Sequence, residues 1–133
     1  MRMASLAVLL IIASAFNALA QDADIRSTIT KQFEAFKVDD FATAFTFASP
    51  TLQTLFQSPE NFGRMVVKGY PMVWRPAAVE YLDLREKSGV FFQTVQITDQ
   101  EDSVHYLEYR MQKISDGWRI NGVRILEAPS PAA

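Results

Sequence analysis

The chain contains no cysteine and a single histidine. The first absence removes disulfides, thiolate zinc sites and cysteine nucleophiles together. The second, with no acidic triplet at ligand spacing, argues against a metal site. A surplus of charge is missing as well. Thirteen Lys and Arg stand against fifteen Asp and Glu, a formal net charge of −2. That balance lacks the positive field that nucleic acid or an anionic membrane attracts. No glycine-rich phosphate loop and no nucleophile motif is present, so no cofactor is expected.

What the sequence does have begins with an address. Arg2 precedes a short apolar run, Leu6 to Ile12, and Ala18-Leu19-Ala20 places small residues at a cleavage position. This reads as a secretory signal over residues 1–20, cut before Gln21. The alternative, a membrane anchor, conflicts with length, since a spanning helix needs roughly 20 apolar residues. A periplasmic or secreted protein with no membrane contact after cleavage is therefore expected. Removing Arg2 takes the net charge from −2 to −3. Residues 21–128 then form one domain, and 129–133 form a frayed tail. With 49% hydrophobic residues and ten Phe, packing can replace the missing disulfides.

Helices come first. Asp22 and Asp24 suit a helix start, and Ile25, Ile29, Phe33 and Phe36 form one apolar stripe. Asp39 and Asp40 introduce a second helix carrying Phe41, Ala44, Phe45 and Ala48. Ser49-Pro50 and Ser58-Pro59 each place an N-cap before a first-turn proline. Gly69 is expected to end the last helix in the left-handed conformation, with Tyr70 folding onto Met65 and Pro71 preventing continuation. A short strand is expected at Val73 to Arg75.

Strands follow at Ala78–Lys87, Val90–Thr98, Ser103–Ile114 and Trp118–Leu126. Ser88-Gly89 and Asp116-Gly117 mark hairpins. Alternation breaks in the last strand, and a bulge at Asn121-Gly122 would return Trp118, Ile120, Val123 and Ile125 to one face. The class is α+β, with N-terminal helices packed on a curved antiparallel sheet of four to five strands.

This order resembles the cone-shaped fold of nuclear transport factor 2 and ketosteroid isomerase, within the cystatin-like group. The ending GWRINGVRIL resembles the last strand of such domains. The segments AFTFASPTLQTLF, SPENFGRMVVKGYP and VWRP resemble an uncharacterised family of small exported proteobacterial proteins, a domain of unknown function. The resemblance implies fold and compartment and assigns no site.

Strict alternation places Glu80, Gln93 and His105 among apolar residues on the inner sheet face. Either they sit at the rim in water, or they line a pocket at the open end of the cone. His105 beside Glu80 could exchange protons near neutral pH. A ketosteroid-type isomerase needs a base and an oxyanion donor. Asp83, Tyr81 and Tyr109 qualify by type, but Tyr81 and Asp83 alternate outward. Tyr70, Trp74 and Arg75 join the last helix to the sheet and suit a ligand or protein hot spot, or simply close the core's edge. The outer face carries Tyr81, Phe92 and Tyr106 among polar residues, which suits a homodimer.

The function these features support is a non-catalytic module that binds a small apolar or amphipathic ligand, or a protein. Tyr70, Trp74, Arg75, Gln93 and Tyr109 are the binding candidates. The alternative is a cofactor-free isomerase or dehydratase using Glu80 or His105. Phe56, Phe62, Met65 and Val66 are expected to plug the mouth of the sheet. Whether that plug is complete decides between an open and a filled pocket.

Overall fold

A computed structural model describes residues 2–127 of the chain, with side chains from residue 17 onward. The tail expected at 129–133 and the side chains of the apolar run in the expected leader lie outside the described residues. Among the described residues, five helices precede four strands. They are α1 (Arg2–Lys37), α2 (Phe41–Thr46), α3 (Pro50–Phe56), α4 (Pro59–Gly69) and α5 (Pro71–Trp74). The sheet is β1 (Ala78–Lys87), β2 (Val90–Thr98), β3 (Val104–Ile114) and β4 (Gly117–Leu126), antiparallel in the order β1-β2-β3-β4. The class is α+β, as expected. Among the described residues, no helix is long and apolar enough to cross a membrane.

The apolar stripe of α1 forms the centre of the core. Ile25 and Ile29 are fully buried, and Phe33 and Phe36 nearly so, against Val95, Ile97, Leu107 and Met111 of the sheet. The helix does not start at Asp22 or Asp24. It runs through both, so these carboxylates lie within it and cap nothing.

The three short caps work as the sequence suggests. Asp40, Ser49 and Ser58 accept hydrogen bonds from the backbone N–H of Thr43, Leu52 and Asn61. Phe62 of α4 gathers Phe36, Phe45 and Phe56 around it at ring distances of 5.3–5.9 Å. Beside it, Gly63 admits the Phe41 ring so closely that an added Cβ would stand 2.8 Å from it.

Two local expectations fail. Gly69 keeps a helical backbone; only Gly89 and Gly117 among the described glycines have positive φ. Pro71 then opens a further helix, because a proline lacking an N–H fits the first helical turn as well as it stops a previous one. The strand expected at Val73 to Arg75 is therefore mostly α5.

The Ser88-Gly89 turn has φ of 52° and 81° at its two central residues, which suits a tight hairpin. The β4 bulge lies where broken alternation placed it. Arg110 opposes Gly122 and Met111 opposes Ile120, leaving Asn121 extra. A second bulge was not foreseen. Tyr81 opposes Val95 and Leu84 opposes Gln93, so Leu82 and Asp83 share one partner position. This bulge reverses the facing of the first half of β1. Val79 and Tyr81 pack on the core, and Glu80 opposes Gln96 on the outer face.

The helical layer is tied to the sheet's edge strand. Ser49 N–H donates to Ile120 O and Ile120 N–H to Phe47 O, both at 2.8 Å, forming a parallel bridge at Ala48. The buried Ser49 hydroxyl also donates to Asn121 Oδ1 at 2.6 Å.

Candidate functional site

The plug of Phe56, Phe62, Met65 and Val66 is incomplete. A cavity of about 220 Å³ remains between α3, α4 and the inner sheet face. Leu52, Val73, Ile120 and Val123 extend its apolar wall, and Gln32, Tyr70 and Tyr109 bring polar groups. Two of these three are already engaged. Gln32 Nε2 donates to Ala44 O at 3.1 Å, and the Tyr70 hydroxyl to Val123 O at 3.3 Å. Tyr109 is different. It is 1% exposed, its ring packs on Phe33, and its hydroxyl has no hydrogen-bond partner among the described residues.

Such an orphan costs free energy unless something pairs with it. Burial drives the Tyr109 phenol well above its ordinary pKa of 10.0, and the neighbouring Tyr81 and Tyr70 push the same way. The group is thus a neutral phenol at ordinary pH, able to donate one hydrogen bond. Among the described residues, no Asp, Glu, His or Lys lines the cavity.

The other candidates are distributed elsewhere. Glu80 is exposed on the outer face and does not meet His105. His105 stays on the inner side, beside Ile97. Its Nε2 lies 2.7 Å from Asp99 Oδ2, in a groove with Met72, Trp74 and Arg75. Asp99 Oδ1 accepts from the backbone of Glu101 and Ser103, so His105 buttresses the β2–β3 turn. The His105 hydrogen bond is the first cause holding the Asp99 carboxyl below its ordinary value.

Trp74 and Arg75 are engaged in structure. Trp74 Nε1 and Arg75 Nη2 both donate to Asp39 Oδ1, at 2.8 and 3.0 Å. Arg75 Nη1 donates to Phe36 O at 2.6 Å, and its guanidinium lies 4.1 Å from the Trp74 ring centre. This knot joins α5 to the end of α1. Among the described residues, Arg64 pairs only with Asn61.

Gln93 is buried, but its Nε2 donates to Leu82 O, Asp83 O and Thr94 O. It pins the β1 bulge. Tyr81, placed by that bulge on the core side, bonds Thr30 Oγ1 at 2.6 Å and donates to Arg26 O at 3.2 Å. It is therefore lost from the outer patch, which keeps Phe92 and Tyr106.

Sequence reasoning reached Tyr70 and Tyr109 as lining residues and missed Gln32, Leu52 and Gly122. Gln32 sits one position from Phe33 in the apolar stripe, a polar residue where the α1 face turns toward α2. Among the described residues, no cluster of three His, Asp or Glu could hold a metal ion. No curated protein matches the chain. Residues 18–133 match the family described as Domain of unknown function (DUF4864), and the chain belongs to that family.

Proposed function

We propose that the protein is an exported, non-catalytic binding module. Its ligand is a small, mostly apolar molecule with one oxygen that accepts a hydrogen bond from Tyr109. The observation that carries this reading is a mostly apolar cavity lined in part by Tyr109, a buried phenol whose hydroxyl has no hydrogen-bond partner among the described residues. A proton-transfer enzyme would need a base there, and both sequence candidates for that base lie elsewhere. The size fits a small ligand. An apolar cavity of about 150 Å³ accommodates benzene, so this one suits slightly more. Export rests on the leader-like residues 1–20, with Arg2, the Leu6–Ile12 run and Ala18-Leu19-Ala20.

The test is titration of the protein with 1-octanol, followed by amide NMR shifts. Saturable shifts are expected at Val66, Ile120 and Val123. Tyr109→Phe should weaken binding about three- to tenfold, the loss of one net hydrogen bond. Val66→Trp, which fills the cavity, should abolish it. Absence of saturable shifts in the wild type sinks the reading; equal affinity in Tyr109→Phe removes the phenol from it.

A further inference from the structure

The two edges of the sheet are covered differently. At β4 the Ala48 bridge to Ile120 fastens the helical layer to the edge. At the other end of the order, β1 pairs with β2 alone. Among the described residues, no backbone hydrogen bond joins its free side to another element. Along ten residues, alternate N–H and C=O groups are left without backbone partners on that side.

An open edge recruits other chains unless it is guarded, commonly by a bulge or by charge. The far half of β1 has both guards. The bulge at Leu82 and Asp83 breaks its register, and Arg85, Glu86 and Lys87 load it with charge. The near half has neither. Residues 78–81 pair in unbroken register, from Ala78 opposite Thr98 to Tyr81 opposite Val95, and carry one charge, Glu80. This half also borders a groove of about 360 Å³ that lies between it and α1. Phe33, Val79 and Tyr81 give the groove an apolar lining, and Glu34 and Lys37 stand on its helical side. The exposed Ala77 and Ala78 put little side chain over the strand's backbone.

We infer that this half-edge docks an extended segment of a partner protein, added to the sheet as a fifth strand beside β1. A row of alternating donors and acceptors, about 13 Å long over four residues, is matched by another extended backbone. Alternation then dictates the partner's sequence. The residues opposite Val79 and Tyr81 turn toward α1 and must be apolar, to cover Phe33 and the two β1 side chains. The residue between them turns outward beside Glu80. That carboxylate is exposed and has no ion pair among the described residues, so Lys or Arg complements it. The segment recognised is apolar–basic–apolar. This inference is independent of the cavity.

The probe is the peptide acetyl-Ser-Val-Lys-Val-Ser-amide, titrated into the protein and followed by amide NMR. Saturable shifts are expected at residues 78–81 and none at Val66 or Ile120 in the cavity. Successive N–H groups of a strand point to opposite sides. Of two further probes, one methylated on both valine nitrogens and one on the lysine nitrogen, one should therefore fail to bind and the other should bind like the parent. Replacing the probe's lysine by glutamate should weaken binding about threefold, and Glu80→Lys in the protein should reverse that order. Absence of saturable shifts at residues 78–81 overturns the inference, as does equal behaviour of the two methylated probes. An order that Glu80→Lys does not move overturns the basic residue in the partner. A dimer by light scattering whose residue 78–81 amides are already protected from exchange overturns the partner in favour of a second copy.

Discussion

Helices α3 and α4 begin alike and end differently. Each starts with Ser-Pro, and each serine caps its helix through one side-chain hydrogen bond. Yet α4 buries Phe62, Gly63 and Val66, and α3 buries nothing, leaving Leu55 68% exposed. A cap determines where a helix starts; the apolar stripe determines what holds it down. One wall of the cavity is therefore anchored in the core. The other rests on its end attachments.

The largest expected effect tests that difference directly. Phe62→Ala removes the centre of the aromatic cluster and should cost about 3–5 kcal/mol, whereas Leu55→Ala should stay within about 0.5 kcal/mol. Denaturant melts of both variants check this, and comparable losses would break the comparison.

The caps come next. Ser58→Ala should cost about 1 kcal/mol, an ordinary cap. Ser49→Ala should cost about 2 kcal/mol, because it also strips Asn121 Oδ1 of its donor. For α3, the attachment at Ser49 outweighs its packing. Equal losses in the two variants would mean that the Ser49–Asn121 bond contributes nothing.

The smallest effect concerns acid and strikes the anchored side. Hydrogen bonds from Trp74 and then Arg75 hold Asp39 below 3.8, and the His105 hydrogen bond does so first for Asp99. A carboxyl with a depressed folded pKa contributes stability that is present above its unfolded value and lost as pH falls through the folded one. The melting temperature should therefore hold from neutrality to about pH 5 and fall below about pH 4. Asp39→Asn and Asp99→Asn should flatten that acid slope, which thermal melts between pH 3 and 7 would reveal. An unchanged slope in both would remove these carboxylates from the account.

Legibility in the sequence followed the strength of local signals. The β4 bulge left a trace, since broken alternation coincided with Asn121-Gly122. The β1 bulge left almost none. Leu82 and Leu84 alternate correctly by themselves, and only the adjacent apolar pair Tyr81-Leu82 hints that two residues share a position. Missing it moved Glu80 inward and Tyr81 outward, and with them the proposed proton exchange and part of the dimer patch. Gln93 was legible as an inward-facing amide, at the rim or in a pocket, but not as the bulge's pin, because the acceptors that pin it, Leu82 O and Asp83 O, lie on another strand. Segment Val73 to Arg75 misled for a different reason. Val and Trp favour strands, and the tertiary knot at Asp39 overrode that preference. The cavity itself was open to inference only as a question, since the volume left by Phe56, Phe62 and Met65 depends on packing.

The tie between Ala48 and Ile120 also governs the order in which the protein can be completed. Phe47, Ser49 and Tyr70 all find their sheet partners in β4, the last strand to be made. A nascent chain lacking that strand has several short helices and no edge on which to fasten them. Contacts so distant in sequence close late. Until the ten residues of β4 exist, Phe47, Ser49 and Tyr70 lack these partners, so the last strand is the clasp that fastens the helical layer to the sheet.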